Sequence, residues 1–257
     1  MLFRSQLLAG NTADRLLALR LAGRLDSAQG ARVLSICLTC QDAEVIRDAI
    51  GRVGALKVES LYDACYTLSF HPEHRRAALD AFRTAGVELA MAARAFAEGC
   101  PAGLRKEWIR VLCTTADPAA RERVMNLLRT TDAWTCLTVL EQLNRPGALV
   151  LPEPFLMKTA TRLGRATAAC TRARRLADPL AATELEAQRR FWARALFACQ
   201  RLLEPAQSTA LLELEKSAFS LDARQQNAGL ELWESWFLTR GKPAYSTLLD
   251  PDRKSVV

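Results

Sequence analysis

The chain has 257 residues, 50% of them hydrophobic and 25% charged, with a formal net charge of +7. That is long enough for one or two domains around a sizeable core. No run of about 18 uncharged apolar residues occurs, so nothing reads as a bilayer span, and no apolar region followed by a small-residue cleavage site reads as a secretory leader. The charge is mild: Arg4, Asp252, Arg253 and Lys254 supply +2 of the +7, leaving +5 for the interior, too little on its own to argue for a nucleic-acid binder.

Twelve glycines and ten prolines stand among abundant Ala, Leu and Arg, a composition that favours helices over strands. In chain order, apolar residues at helical spacing predict helices over Thr12–Leu25, Ala28–Gln41 and Asp42–Arg52, then a loop around Gly54. Val58–Phe70, Pro72–Thr84 and Val87–Glu98 follow, with Pro72 placed for a first helical turn and Gly86 as a break. Ala102–Thr115, Pro118–Thr130 and Ala133–Asn144 come next, and "RPGALVLPEP" is the clear irregular connector. Two longer helices, Phe155–Leu176 and Leu180–Leu203, precede shorter ones at Pro205–Phe219 and Asp222–Thr239, and a last turn lies in "KPAYSTLLD". Short links between helices of this length imply antiparallel neighbours.

The two ends read differently. With GTG as the start, GTG CTC TTC CGA TCT encodes Met1–Ser5, and GAT CGG AAG AGC GTC GTG followed by a stop encodes Asp252–Val257. Both strings match a widely used sequencing adapter, once in each orientation. Residues 1–5 and 252–257 are therefore expected to be adapter-derived and are set aside from fold reasoning, and Gln6–Pro251 is expected to be an internal piece of a longer protein.

Eight cysteines could suggest an oxidising compartment, but Cys65, Cys113, Cys136, Cys170 and Cys199 sit in apolar helical patterns, where a free thiol behaves as a small hydrophobe. A disulfide framework belongs to short, loop-rich secreted chains. The expected setting is a reducing cytoplasm. "CLTC" (Cys37, Cys40) has C-x-x-C spacing, but it falls late in a predicted helix, whereas redox activation places the first Cys at a helix N-terminus; buried structural thiols are the expected reading. "HPEH" offers His71, Glu73 and His74, with Cys65 nearby, yet Pro72 and the helix-start position favour polar capping over metal binding. No phosphate-binding glycine loop, dinucleotide fingerprint or nucleophile elbow is present. No catalytic residue, metal or cofactor is assigned.

Three segments look alike: "DAEVIRDAI" from Asp42, "DPAARERVMNLL" from Asp117 and "LDARQQNAGLEL" around Asp222. In each, Asp is placed to cap a helix, an Arg follows within the first turns, and spaced apolar residues come next. This pattern resembles the second helix of HEAT repeats. Further on, "LEQLNRPGALVLPEPFL", "RRLADPLAATELEAQRRFWARALFACQRLLEP" and "DARQQNAGLELWESWFLTRGKPAYSTLLDP" occur in order. That succession resembles the HEAT-repeat domain attached to bacterial membrane proteins similar to ATP/ADP antiporters and other major-facilitator-type carriers. Leu143-Asn144-Arg145, Leu230-Glu231-Leu232-Trp233-Glu234 and Leu248-Leu249-Asp250 stand at the corresponding places, with Trp233, Trp236 and Glu234 as departures. The match covers Leu104–Pro251 and carries no catalytic residues.

One helix invites a binding role. Phe155–Leu176 contains no acid, and Lys158, Arg162, Arg165 and Arg172 recur at spacings that place them on one face. Arg174 and Arg175 extend its basic end, where cations suit the helix dipole. Such a stripe fits an anionic partner: a lipid surface, a phosphate-bearing ligand or an acidic protein segment. The ordinary alternative is a solvated basic face, with Glu184 and Glu186 of the next helix as the acids placed to neutralise it.

The sequence thus predicts an all-α, HEAT-like solenoid of antiparallel helix pairs, with repeats over residues 6–147 and further helices, two of them long, over 148–251. The expected function is a non-catalytic scaffold or regulatory domain, cytoplasmic and bacterial, appended to a transporter-like membrane protein. Its expected partner is another protein or the rest of the parent chain, with an anionic lipid surface as a further option. A nucleic-acid-binding HEAT-like module, including a DNA-glycosylase-like enzyme, is the competing class; it would need a basic groove with aromatics and a catalytic carboxylate. Trp108, Trp134, Trp192, Trp233 and Trp236 are spread through helices instead, as core residues are. A HEAT-like lyase acting on a bound pigment has no residue in its favour.

Overall fold

The computed structural model describes residues 10–130 and 132–220. The termini, the Asp222 repeat start, Trp233, Trp236, the closing Leu248-Leu249-Asp250 and the side chain of Arg175 lie outside the described residues. Within them the protein is all helical, with no strand. Twelve α-helices run in order: α1 (Thr12–Ala22), α2 (Ser27–Leu38), α3 (Ala43–Leu56), α4 (Tyr62–Leu68), α5 (Pro72–Ala85), α6 (Glu88–Ala97), α7 (Ala102–Thr114), α8 (Pro118–Thr130), α9 (Ala133–Leu143), α10 (Glu153–Leu176), α11 (Pro179–Leu203) and α12 (Ser208–Ala218). Single 3-10 turns precede α4 and α12. The fold divides into two compact units, Met1–Val111 and Leu112–Val257.

Local chemistry starts these helices. Asn11 and Asp14 form a reciprocal capping box on α1. Asp26, Asp42, Asp132 and Asp178 each accept backbone N–H groups from the first turn of the following helix, and Asp117 accepts from Ala119 at 2.6 Å. Each cap satisfies donors that a helix start otherwise leaves open, worth about 1 kcal/mol.

In the first unit, α3 packs against α2 and α5. Its buried residues Val45, Ile46, Ala49, Ile50 and Val53 recur at the spacing of one helical face. Phe82 on α5 lies 6.0 Å from Trp108 on α7, stacked, and 6.3 Å from Tyr62, edge-on.

Here the structure corrects the sequence reading. No loop forms at Gly54: α3 continues through it to Leu56, and Lys57 ends the helix in the left-handed region at φ 52°. Gly54 packs directly against the backbone of α5, where an added Cβ would lie 2.5 Å from the Ala81 carbonyl oxygen and 2.6 Å from its Cα. The glycine admits a neighbouring backbone rather than a turn. Val58–Phe70 is likewise not one helix but a 3-10 turn over Glu59–Leu61 followed by the short α4.

In the second unit, α9 is buried on nearly every side, from Ala133 to Leu143, so it is the central helix, flanked by α8 and α11. Asn144, at its end, donates from one amide nitrogen to the carbonyls of Leu140 and of Ala198 on α11, both at 2.8 Å. Helices α10 and α11 form a hairpin, packed together and joined through Ala177 and Asp178. The inward face of α10 is Leu156, Ala160, Leu163, Thr167 and Thr171. The two threonines turn their hydroxyls onto their own helix, donating to carbonyls four residues back at 2.9 Å, so polar atoms enter the packing satisfied. Arg201 of α11 and Glu215 of α12 form a buried pair at 2.9 Å, and Arg194 bridges Glu215 at 3.1 Å.

A basic helix face and a candidate anion-binding cavity

At about 100° per residue, Lys158, Arg162, Arg165 and Arg172 fall on the side of α10 opposite its buried stripe. Lys158, Arg165 and Arg172 are exposed, whereas Arg162 is half-buried. Its guanidinium turns inward: it donates to the Leu128 carbonyl in the last turn of α8, meets the Cys136 sulfur at 3.3 Å, and lies 5.6 Å over the Trp192 ring of α11. Leu128 O is among the carbonyls a helix end leaves without an intrahelical donor. Arg162 therefore ties α8, α9 and α11 to α10, a structural task its place on a basic stripe did not foretell.

The other three cations make no ion pair among the described residues. Glu186, one of the two acids placed to neutralise the stripe, is taken by Arg174, Arg189 at 2.6 Å and Arg190 at 3.1 Å. Burial alone would raise its pKa, but the guanidinium groups, led by Arg189, outweigh it and hold the carboxyl down to about 2. Glu184 is exposed and forms no ion pair with the stripe.

Beside the stripe, between the C-terminal end of α8 and the start of α10, lies a cavity of about 530 Å³. Met125, Leu128, Pro152, Pro154 and Phe155 give it an apolar wall, and Arg129, Lys158 and Arg162 supply its charge, with no acid in the lining. Arg129 sits 5.2 Å over the Phe155 ring, a cation–π contact, and its Nη1 donates to Asn126 at 3.1 Å. The hydroxyl of buried Thr159 is committed to Phe155 O. The arrangement can receive an apolar group with negative charge beside it. Sequence reading found Lys158 and Arg162 but missed Arg129, which belongs to a different helix. Its visible signal was a cation four residues after Met125 in the last turn of α8, too ordinary a pattern to point to a site.

The other candidates take different places. Cys37 is buried inside α2 and Cys40 lies in the turn after it; burial first, then the Cys40 sulfur, pushes the Cys37 thiol up to about 11, the opposite of redox activation. Cys65, Cys113 and Cys199 are pushed up to about 12, chiefly by burial, and Cys170 proves only half-buried. His71 stands at the N-cap of α5 but makes no side-chain cap bond, and Pro72 opens the helix instead, so capping by this histidine does not occur. His74 is buried, with Nε2 3.4 Å from Glu73. Among the described residues, no three His, Cys, Asp or Glu side chains are grouped to hold a metal ion, and no helix is long and apolar enough to cross a membrane. Trp108 is wholly buried, so it offers no stacking surface.

No family model, no curated protein and no solved structure matches this chain.

Proposed function

We propose that this protein is a non-catalytic, HEAT-like helical-repeat module, a scaffold or regulator whose α10 face receives an acidic segment of a protein partner or of its own parent chain. On this reading it is a cytoplasmic appendage of a larger, transporter-like membrane protein. The Asp-capped starts of α3 and α8, which follow the repeat pattern of the sequence, and the α10–α11 hairpin support the repeat architecture. The observation that carries the function is the set of unpaired cations on α10 beside an apolar cavity without an acid in its lining. Charges of one sign left uncompensated repel one another mildly, a cost that an anionic partner relieves.

The test is binding of polyaspartate, phosphatidylserine vesicles and duplex DNA at low and physiological salt. Polyaspartate is expected to bind at low salt, with an affinity that falls steeply as salt rises, and to be lost from Lys158→Glu/Arg165→Glu with helicity unchanged. Arg162 is unsuited to reversal because it holds four helices together. Tighter binding of DNA or vesicles than of polyaspartate, or no binding of any polyanion, overturns the reading.

A further inference from the structure

With Arg162 committed to the interior, the free cations of α10 acquire a simple order. Lys158, Arg165 and Arg172 stand seven residues apart, which at the helical rise puts successive charges about 10.5 Å from one another, nearly in line. Lys158 is also part of the cavity lining. The cavity therefore opens at one end of a straight track of cations about 21 Å long. A small organic acid could fill the cavity but would leave Arg165 and Arg172 unused.

An extended peptide matches the track. In a polyproline II conformation, residues three apart lie on the same edge, about 9.3 Å from one another, a spacing that flexible Lys and Arg side chains bridge. A partner helix with acids every seventh residue would match the same spacing. However, helix pairing needs a continuous apolar seam, and the outer face of α10 shows exposed Thr161, Arg165, Ala169 and Arg172 instead.

Resting on the reading above, we propose that the cavity and its cation track recognise an extended acidic segment. One bulky apolar side chain enters the cavity against Met125, Leu128 and Phe155, and carboxylates at every third position meet Lys158, Arg165 and Arg172. The apolar anchor sets the register, since the cavity is a fixed point on the helix while each surface ion pair alone contributes little. Arg129, on its Phe155 shelf, closes the far side of the seat and meets a carboxylate preceding the anchor.

The experiment is fluorescence anisotropy of the full chain at low salt with three labelled Gly/Ser peptides. One carries a phenylalanine followed by three aspartates at every third position, one has the phenylalanine replaced by glycine, and one keeps the phenylalanine but has lysines for aspartates. The anchored acidic peptide is expected to bind at least about tenfold more tightly than the anchorless one, as fits the burial of one large apolar side chain, and the basic peptide is expected not to bind. Lys158→Glu/Arg165→Glu/Arg172→Glu should weaken the anchored acidic peptide by about tenfold or more. Met125→Trp, which fills the seat, should remove the difference between anchored and anchorless peptides while leaving the anchorless affinity in place. Equal binding of the two acidic peptides by the wild type overturns the proposal. If polyaspartate and both acidic peptides bind equally and are all lost in the triple reversal, the anchored register is wrong and the acidic-partner function stands. If no acidic probe binds, both fall.

Discussion

His74 is a protonatable ring placed where a proton is unwelcome. It is 4% exposed, and its Nδ1 finds no hydrogen-bond partner among the described residues. Burial pushes its pKa below the ordinary value; Glu73 pulls the other way, while His71 and Arg47 add to the depression. The folded ring thus binds its proton less readily than the unfolded one. The unfolded chain takes up more protons as pH falls through about 6.5, so this contribution is complete above that value and is lost below it. The denaturant midpoint should fall between about pH 7.5 and 5.5, and His74→Gln should flatten that dependence. A midpoint that changes equally in both proteins assigns the effect elsewhere. The "HPEH" string announced this position but not its role: spacing alone does not tell a capping histidine from one facing the core.

At the scale of elements, two glycines of one helix make opposite forecasts. Gly54 meets the backbone of Ala81, which cannot swing aside as a side chain can, whereas nothing lies within 4 Å of a Cβ added at Gly51. Gly54→Ala is therefore expected to destabilise by about 1–3 kcal/mol through forced separation of α3 and α5. Gly51→Ala should stabilise by about 0.5–1 kcal/mol, because alanine gives up less backbone freedom in a helix. Urea denaturation of both variants checks the pair, and equal effects would remove the close approach as the reason for Gly54. The same contact explains why a loop was expected there: in sequence, a helix-breaking glycine and a glycine that admits a neighbour look identical.

Across the molecule the cysteines report on packing. None of the eight is disulfide-bonded, and six are buried. Cys37, Cys65, Cys113 and Cys199, with thiols pushed up to about 11 or 12, stay protonated at neutral pH and are poor nucleophiles. Native protein is expected to react with a thiol reagent slowly, at half-buried Cys40 and Cys170 first, and to show eight thiols only in denaturant. Rapid labelling of Cys37 in the folded protein would contradict its burial. Because the buried thiols lie in both units, Cys37, Cys65 and Cys100 in the first and Cys113, Cys136 and Cys199 in the second, the time course also reports on the opening of each.

The residues by themselves determined the helical class, since Ala, Leu and Arg at helical spacing bury a face in no other regular structure, and the starts of five of the twelve described helices, where an Asp caps the turn immediately after it. The burial of most thiols was legible for the same reason: apolar neighbours in sequence are neighbours on a helix face. Only the tertiary structure separated Arg162 from Lys158, Arg165 and Arg172. All four share one face of α10, and what draws Arg162 inward is a carbonyl on α8 and a ring on α11, distant in sequence. Arg129, Met125 and Phe155 meet for the same reason. A helix face follows from spacing along the chain, whereas a cavity requires helices that the chain brings together from elsewhere.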